Sequence, residues 1–152
     1  MNCIRLKLES EKDTKELAYN IAPHLLIGDV ILLFGDLGSG KTFFTKALGK
    51  ALGINEEIDS PSFVIFKEYR SEKYPLFHFD LYRLKTESEL FDLGIFEMLE
   101  SGVTAIEWPQ ICKSILPSQT MELHFHFDGS TRYVDIYSDN PRITSEFYNI
   151  SK

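Results

Sequence analysis

Gly35-Asp36-Leu37-Gly38-Ser39-Gly40-Lys41-Thr42 spells G-x-x-x-x-G-K-[ST], the pattern of a phosphate-binding P-loop. Its flanks decide whether the spelling carries weight. Upstream, Val30-Ile31-Leu32-Leu33-Phe34 is an unbroken apolar run, as in a strand buried on both faces. Downstream, Phe44, Ala47, Leu48, Ala51 and Leu52 fall on one face of a helix, and Gly53 supplies its stop. Strand, glycine-rich loop and helix follow in the order the motif requires. Glycines let successive main-chain N–H groups curl toward an anion, and the helix N-terminus adds positive potential. In that setting Gly35, Asp36, Leu37, Gly38, Ser39 and Gly40 form the cradle. Lys41 faces the β- and γ-phosphates, and the Thr42 hydroxyl is a ligand for Mg²⁺.

The chain has 152 residues, enough for one domain with a full core and too few for two comfortable ones. Its hydrophobic content of 43% and charged content of 26% are those of an ordinary soluble protein. A net charge of −7, with no long basic run to offset it, argues against a stand-alone binder of DNA or RNA. Cys3 and Cys112 are far apart and lack metal-ligand spacing, so reduced thiols in the cytoplasm are expected. The N-terminus has no apolar leader and no stretch approaches the ~20 apolar residues of a membrane span, so no membrane role is expected.

Ile4, Leu6 and Leu8 alternate with charged residues, the pattern of a strand at a sheet edge. Ser10 suits a helix N-cap, Leu17, Ala18, Ile21, Ala22 and Leu25 give a buried stripe, and Pro23 predicts a kink or an early end. Beyond Gly53, Ser60-Pro61-Ser62 is a rigid approach to a strand from Phe63 to Tyr69. With residues 76–80 that strand predicts an antiparallel hairpin. Thr86 and Glu89 have capping-box spacing for a helix to about Leu93, and residues 95–99 predict a second short one. Residues 103–106 predict a buried strand and residues 111–116 a short helix stopped by Pro117. Residues 121–127 and 132–137 predict a terminal hairpin around Asp128-Gly129-Ser130.

A P-loop binds phosphate; hydrolysis also needs a carboxylate that holds or organises Mg²⁺. Two acids end apolar strands, Asp80 after Leu76-Phe77-His78-Phe79 and Glu107 after Val103-Thr104-Ala105-Ile106. Ligands of open α/β sheets sit beyond the carboxyl ends of parallel strands, so both acids can face the P-loop. The alternative for each is a surface strand cap. His78 shares a strand face with Asp80 and is read as a hydrogen-bonded packing residue. His124 and His126 also share a face, and without a third ligand they too are read as strand residues. Trp108 either shields the site from water or packs in the core.

With these residues assembled, the chain resembles the bacterial TsaE (formerly YjeE) family of small P-loop ATPases. The resemblance runs from about Ser10 to Arg132. It rests on the P-loop, Ser60-Pro61-Ser62-Phe63, His78-Phe79-Asp80-Leu81-Tyr82-Arg83-Leu84, Glu89-Leu90 with Leu93-Gly94, and Ile106-Glu107-Trp108-Pro109. It implies ATP or ADP with Mg²⁺, and turnover that is weak alone and stimulated by a TsaB–TsaD partner pair. The work of that assembly is the N6-threonylcarbamoyl group on adenosine 37 of tRNAs reading codons that start with A. Carried over, Lys41, Asp80 and Glu107 are catalytic. Thr42, Glu107 and Ser62 stand on the metal side, although Ser62 replaces the family's usual threonine. Thr14 and Arg132 are further nucleotide contacts. The fold implied is a single α/β domain of P-loop NTPase type over residues 1–138. It has a central, mostly parallel mixed sheet, helices on both faces and antiparallel hairpins. Residues 139–152 are a polar tail, loose unless Phe147-Tyr148 docks it.

The acidic charge agrees with tRNA being held only indirectly, through partners. An exposed Leu81-Tyr82-Arg83 segment beside Asp80 is the expected link to a partner surface. Two rival readings remain at this level. A small-molecule kinase would need several phosphate-binding arginines, whereas Arg5, Arg70, Arg83, Arg132 and Arg142 are scattered. A nucleotide-gated binding module without turnover would not need two candidate acids.

Overall fold

The computed structural model describes residues 2–59, 61, 65–117 and 120–150. The apolar run before the P-loop forms β2 (Val30–Phe34), buried on both faces as its composition requires. The sheet grows outward from it in the order β1-β7-β6-β2-β5-β4-β3. Here β1 is Asn2–Leu8, β3 Phe66–Tyr69, β4 Leu76–Asp80, β5 Val103–Glu107, β6 Thr120–Asp128 and β7 Thr131–Ser138. The middle strands β6, β2, β5 and β4 run parallel; β3 at one edge and β7 with β1 at the other are antiparallel.

Helices cover both faces. On one, α1 (Glu11–Ile21), α2 (Lys41–Ala51) and α5 (Pro141–Ile150) enclose a core in which Leu17, Phe44, Leu48 and Phe147 meet Ile31, Leu33, Ala105 and Leu123. On the other, α3 (Glu87–Asp92) and α4 (Ile95–Ser101) bring Leu90, Ile95 and Leu99 against Leu32, Phe77, Phe79 and Ile106. The alternation along β4 and β5 follows from the two-residue period of a strand. Leu76, His78 and Asp80 on β4 share the α2 side with Val103, Ala105 and Glu107 on β5.

Pro23 ends α1 as its missing N–H predicts, and a 3₁₀ turn over Ala22–His24 follows. Two details differ from the sequence expectations. Residues 111–116 form no α-helix. Instead 3₁₀ turns occupy Pro109–Ile111 and Lys113–Ile115, closed by bonds from Cys112 N–H to Pro109 O and Ile115 N–H to Cys112 O. Leu81 is not exposed; it enters the core and donates its N–H to the Glu107 carbonyl, which leaves only Tyr82 and Arg83 outside. Of the two alternatives left open for the polar tail, the described residues take the docked one: it contains α5, held by buried Phe147 and Ile143 and by Arg142, which reaches Asp29 and the His24 carbonyl. The expectations for Ser60, Ser62, Phe63 and Val64 lie outside the described residues. No helix among the described residues is long and apolar enough to cross a membrane.

Candidate functional site

Parallel strands β2, β5 and β4 end side by side, so the residues beyond their carboxyl ends face one crevice. The register sets Leu33 opposite Glu107, and Glu107 opposite Asp80. From β2 the chain enters residues 35–40 and then α2. Gly35 has φ +145°, and a Cβ there would lie 2.8 Å from the Phe125 carbonyl oxygen, so the loop runs too close to β6 for any side chain. Gly40, with φ +114°, precedes Lys41 at the helix N-terminus.

Lys41 is buried. Its Nζ donates to the Gly35 carbonyl and lies 3.5 Å from the centroid of the Trp108 ring, a cation–π contact. Burial lowers the Lys41 pKa, while the charges of Glu107, Asp80 and Asp36 oppose that shift. At the second residue of α2, Thr42 Oγ1 lies 3.1 and 3.2 Å from the two oxygens of Glu107. His78 Nε2 sits 2.6 Å from Glu107 Oε2. Asp80 is buried, accepts the Tyr82 N–H at 3.0 Å, and donates its own N–H to the Ile65 carbonyl at 2.7 Å.

Ile65 (φ +73°) and Trp108 (φ +56°) are the non-glycine residues with positive φ among those described. Both adjoin the acids: Ile65 through its bond to Asp80, Trp108 as the residue after Glu107. Backbone strain of this kind concentrates at functional sites. The crevice is a cavity of about 340 Å³ whose lining includes Lys41, Thr42, Phe43, Asp80, Glu107, Trp108 and Arg132, with Glu11 and residues 37, 38 and 40. A larger cavity of about 590 Å³ between α1, α2 and residues 54–58 shares only Phe43 with it and holds neither acid.

Most of the residues expected from sequence therefore converge. Ser39 is buried with an Oγ that has no hydrogen-bond partner among the described residues, while Asp36 and Leu37 are exposed at the rim. Arg132 comes from the start of β7. Its guanidinium lies over Phe127 and beside the loop, so that a Cβ on Gly40 would be 3.5 Å from Arg132 Nη1. Thr14 is buried on α1 with an unpartnered hydroxyl among the described residues; Glu11, one turn earlier, lines the cavity. Ser62 lies outside the described residues.

Trp108, for which the sequence left shielding of the site and core packing both open, covers Lys41. One neighbour of the site went unread as such: His78, read as a packing residue, contacts Glu107. Its only signal was a place two residues before a strand-ending acid. His124 and His126 behave as strand residues, stacked on Phe34 and Tyr133 and bonded to Glu122 and Asp135. No group of three or more His, Cys, Asp or Glu among the described residues forms a ready-made metal cage. The donor set at Thr42 and Glu107 instead suits Mg²⁺, which is held by one or two protein ligands together with phosphate oxygens.

Comparison with known proteins agrees with this geometry. The family model for the threonylcarbamoyl adenosine biosynthesis protein TsaE matches residues 8–134. The tRNA threonylcarbamoyladenosine biosynthesis protein TsaE of Rickettsia conorii is 37% identical over 141 residues, covering 91% of this chain and 81% of that protein. Its namesake in Bacillus subtilis is 39% identical over 124 residues, covering 81% and 77% respectively. Among solved structures, Bacillus subtilis YdiB superposes with a TM-score of 0.80 at 28% identity, over 99% of this chain and 95% of that one. A shared fold, a family match across the loop and both acids, and identity sustained over most of the length lead to one assignment: the chain belongs to the TsaE family.

Proposed function

We propose that this protein is a Mg²⁺-dependent ATPase subunit in the formation of the N6-threonylcarbamoyl group on adenosine 37 of tRNAs reading codons that start with A. It acts there with TsaB–TsaD. The observation that carries the reading is convergence: Lys41, Thr42, Asp80 and Glu107 meet at one cavity from the ends of three neighbouring strands. Membership of the TsaE family supports the role in tRNA modification.

In this reading the amides of residues 35–40 and Lys41 receive the β- and γ-phosphates, and the buried Ser39 hydroxyl finds its partner in a phosphate oxygen. Thr42 and Glu107 hold Mg²⁺, with the Ser62 hydroxyl on the same side. When bound there, the ion would supply positive charge to offset what develops on the transferred phosphoryl group. Asp80, the Walker B-like acid, stands opposite Glu107 in the register and would help organise the ion from there. Arg132 and Glu11 also border, with Phe127, an adjoining cavity of about 440 Å³, which has room for the nucleoside; Thr14 lies one turn along α1 from Glu11. Trp108 and the buried strand ends keep bulk water from Lys41, which strengthens its attraction for phosphate.

The test is phosphate release from ATP by the full chain, with and without TsaB–TsaD, together with a search for phosphorylated acceptors. Slow release that the partners accelerate, with no acceptor labelled, is the expected result. Label transferred to a small molecule, or no release under either condition, overturns it.

A further inference from the structure

His78 is fully buried on β4, and its Nε2 contacts Glu107 Oε2 at 2.6 Å. A carboxylate withdrawn from water needs donors for its oxygens. Thr42 Oγ1 is within reach of both Glu107 oxygens but has one proton to give, so His78 is the second donor. The register explains how the imidazole arrives. His78 lies opposite Ala105, whose side chain is too short to intervene, and Glu107 is the next residue along that face. His78 Nδ1 is buried with no partner among the described residues. A neutral ring with its proton on Nε2 leaves only a bare lone pair there; the other tautomer would strand an N–H and put two acceptors face to face.

We infer that His78 is a positioning residue: its Nε2–H holds the Glu107 carboxylate turned toward Thr42, where it meets the divalent ion. This rests on the reading of Glu107 as a metal-side acid. Outer partners of this kind orient ligands, and their loss typically weakens metal affinity about ten- to a hundredfold.

The experiment measures Mn²⁺ binding to the protein–ADP complex by the electron paramagnetic resonance of free Mn²⁺. It compares wild type, Glu107→Gln, His78→Leu, His78→Asn and His78→Gln, each first shown to unfold cooperatively. His78→Leu removes the donor, the amide of His78→Asn stops short of Glu107, and that of His78→Gln reaches where Nε2 stood. Leu and Asn should each weaken Mn²⁺ binding about ten- to a hundredfold, leave metal-free ADP affinity within about twofold, and be rescued by Gln. In a Glu107→Gln background the same substitutions should add nothing further. His78→Asn and the His78→Gln comparison decide the matter should His78→Leu fail to fold. Normal Mn²⁺ affinity in folded His78→Asn, or a His78→Gln as weak as it, overturns the inference alone, provided Glu107→Gln does weaken Mn²⁺ binding. If Glu107→Gln binds Mn²⁺ normally, the metal-side role of Glu107 falls and this inference with it. Failure of wild type to bind ADP removes the nucleotide reading itself.

Discussion

Lys41 is a charge that the fold holds at a cost. Burial depresses its pKa below the usual 10.5, and the neighbouring acids Glu107, Asp80 and Asp36 only oppose that depression. The sign follows from linkage. Between the lowered folded value and 10.5 the unfolded chain binds more protons, so stability rises with pH there and the whole penalty is present below the folded value. Replacing the ammonium group by an apolar side chain of similar length should remove that penalty. Lys41→Met should therefore be as stable in urea at pH 7 as wild type, to within about 1 kcal/mol, or more so. Its affinity for ATP should fall by about tenfold or more, the loss of at least one charge-assisted contact. A variant less stable by about 3 kcal/mol, in the range of a disrupted core, would mean that Lys41 serves packing rather than phosphate. Trp108 belongs to the same arrangement: its ring faces the ammonium group at 3.5 Å, and its positive φ is what turns it there after Glu107.

At the scale of elements, the site depends on strands being held in register. Arg5 on β1 grips Asp135 on β7 through two bonds of 2.7 and 3.0 Å, clipping the edge strand on. The hydrogen bond from Arg5, then the charges of Arg5 and His126, hold the Asp135 carboxyl below its usual 3.8 in spite of burial. A depressed carboxylate contributes stability that is present above 3.8 and lost as pH falls through the folded value. Asp135→Asn should thus be less stable than wild type at pH 6, and the gap should narrow as pH drops below about 4 in acid unfolding series. A constant gap would remove the ion pair as its cause. On the other side, β5 starts where Gly102 passes Pro75, and a Cβ on Gly102 would fall 2.3 Å from the Pro75 carbonyl oxygen. Gly102→Ala should cost about 1–3 kcal/mol in urea unfolding, because the obstacle is backbone. A neutral effect would show that the turn before β5 has slack.

Much of this was legible in local patterns. The P-loop announced itself through its flanking strand and helix, and Asp80 and Glu107 through the apolar runs they end. The hairpins followed from alternation about turn residues. What local pattern does not encode is which strands become neighbours across the chain. Residues 121–127 look the same whether or not β6 lies parallel beside β2, and only that placement brings Arg132 to the loop. The sequence leaves the tail open between loose and docked for a related reason: Ile143 and Phe147 sit in a polar segment, and their burial depends on a core built by distant residues. His78 looks like packing until β5 is laid beside it.

For the whole molecule, the acidic surface and the open cavity mouth fit a nucleotide switch that works on a partner better than one that grips nucleic acid. Leu37 (77% exposed) and Tyr82 (61%) stand at or beside the cavity mouth as large apolar groups. Tyr82 packs on Trp108 at 5.0 Å between ring centroids, and Trp108 covers Lys41, so a partner touching Tyr82 is two contacts from Lys41. Tyr82→Ala and Arg83→Ala should each lower TsaB–TsaD-stimulated phosphate release about tenfold or more, as loss of an interface anchor does, with ATP affinity nearly unchanged. Normal partner binding and normal stimulation in both variants would rule this surface out as the link. All of it depends on the cradle of main-chain amides, one ammonium group and two acids receiving a triphosphate with its ion. The most direct measurement is a calorimetric titration of the full chain with ATP in the presence of Mg²⁺, alongside Lys41→Met. Saturable heat with wild type that is strongly diminished in the variant is expected; no heat with wild type, or equal binding by both proteins, would overturn the nucleotide reading.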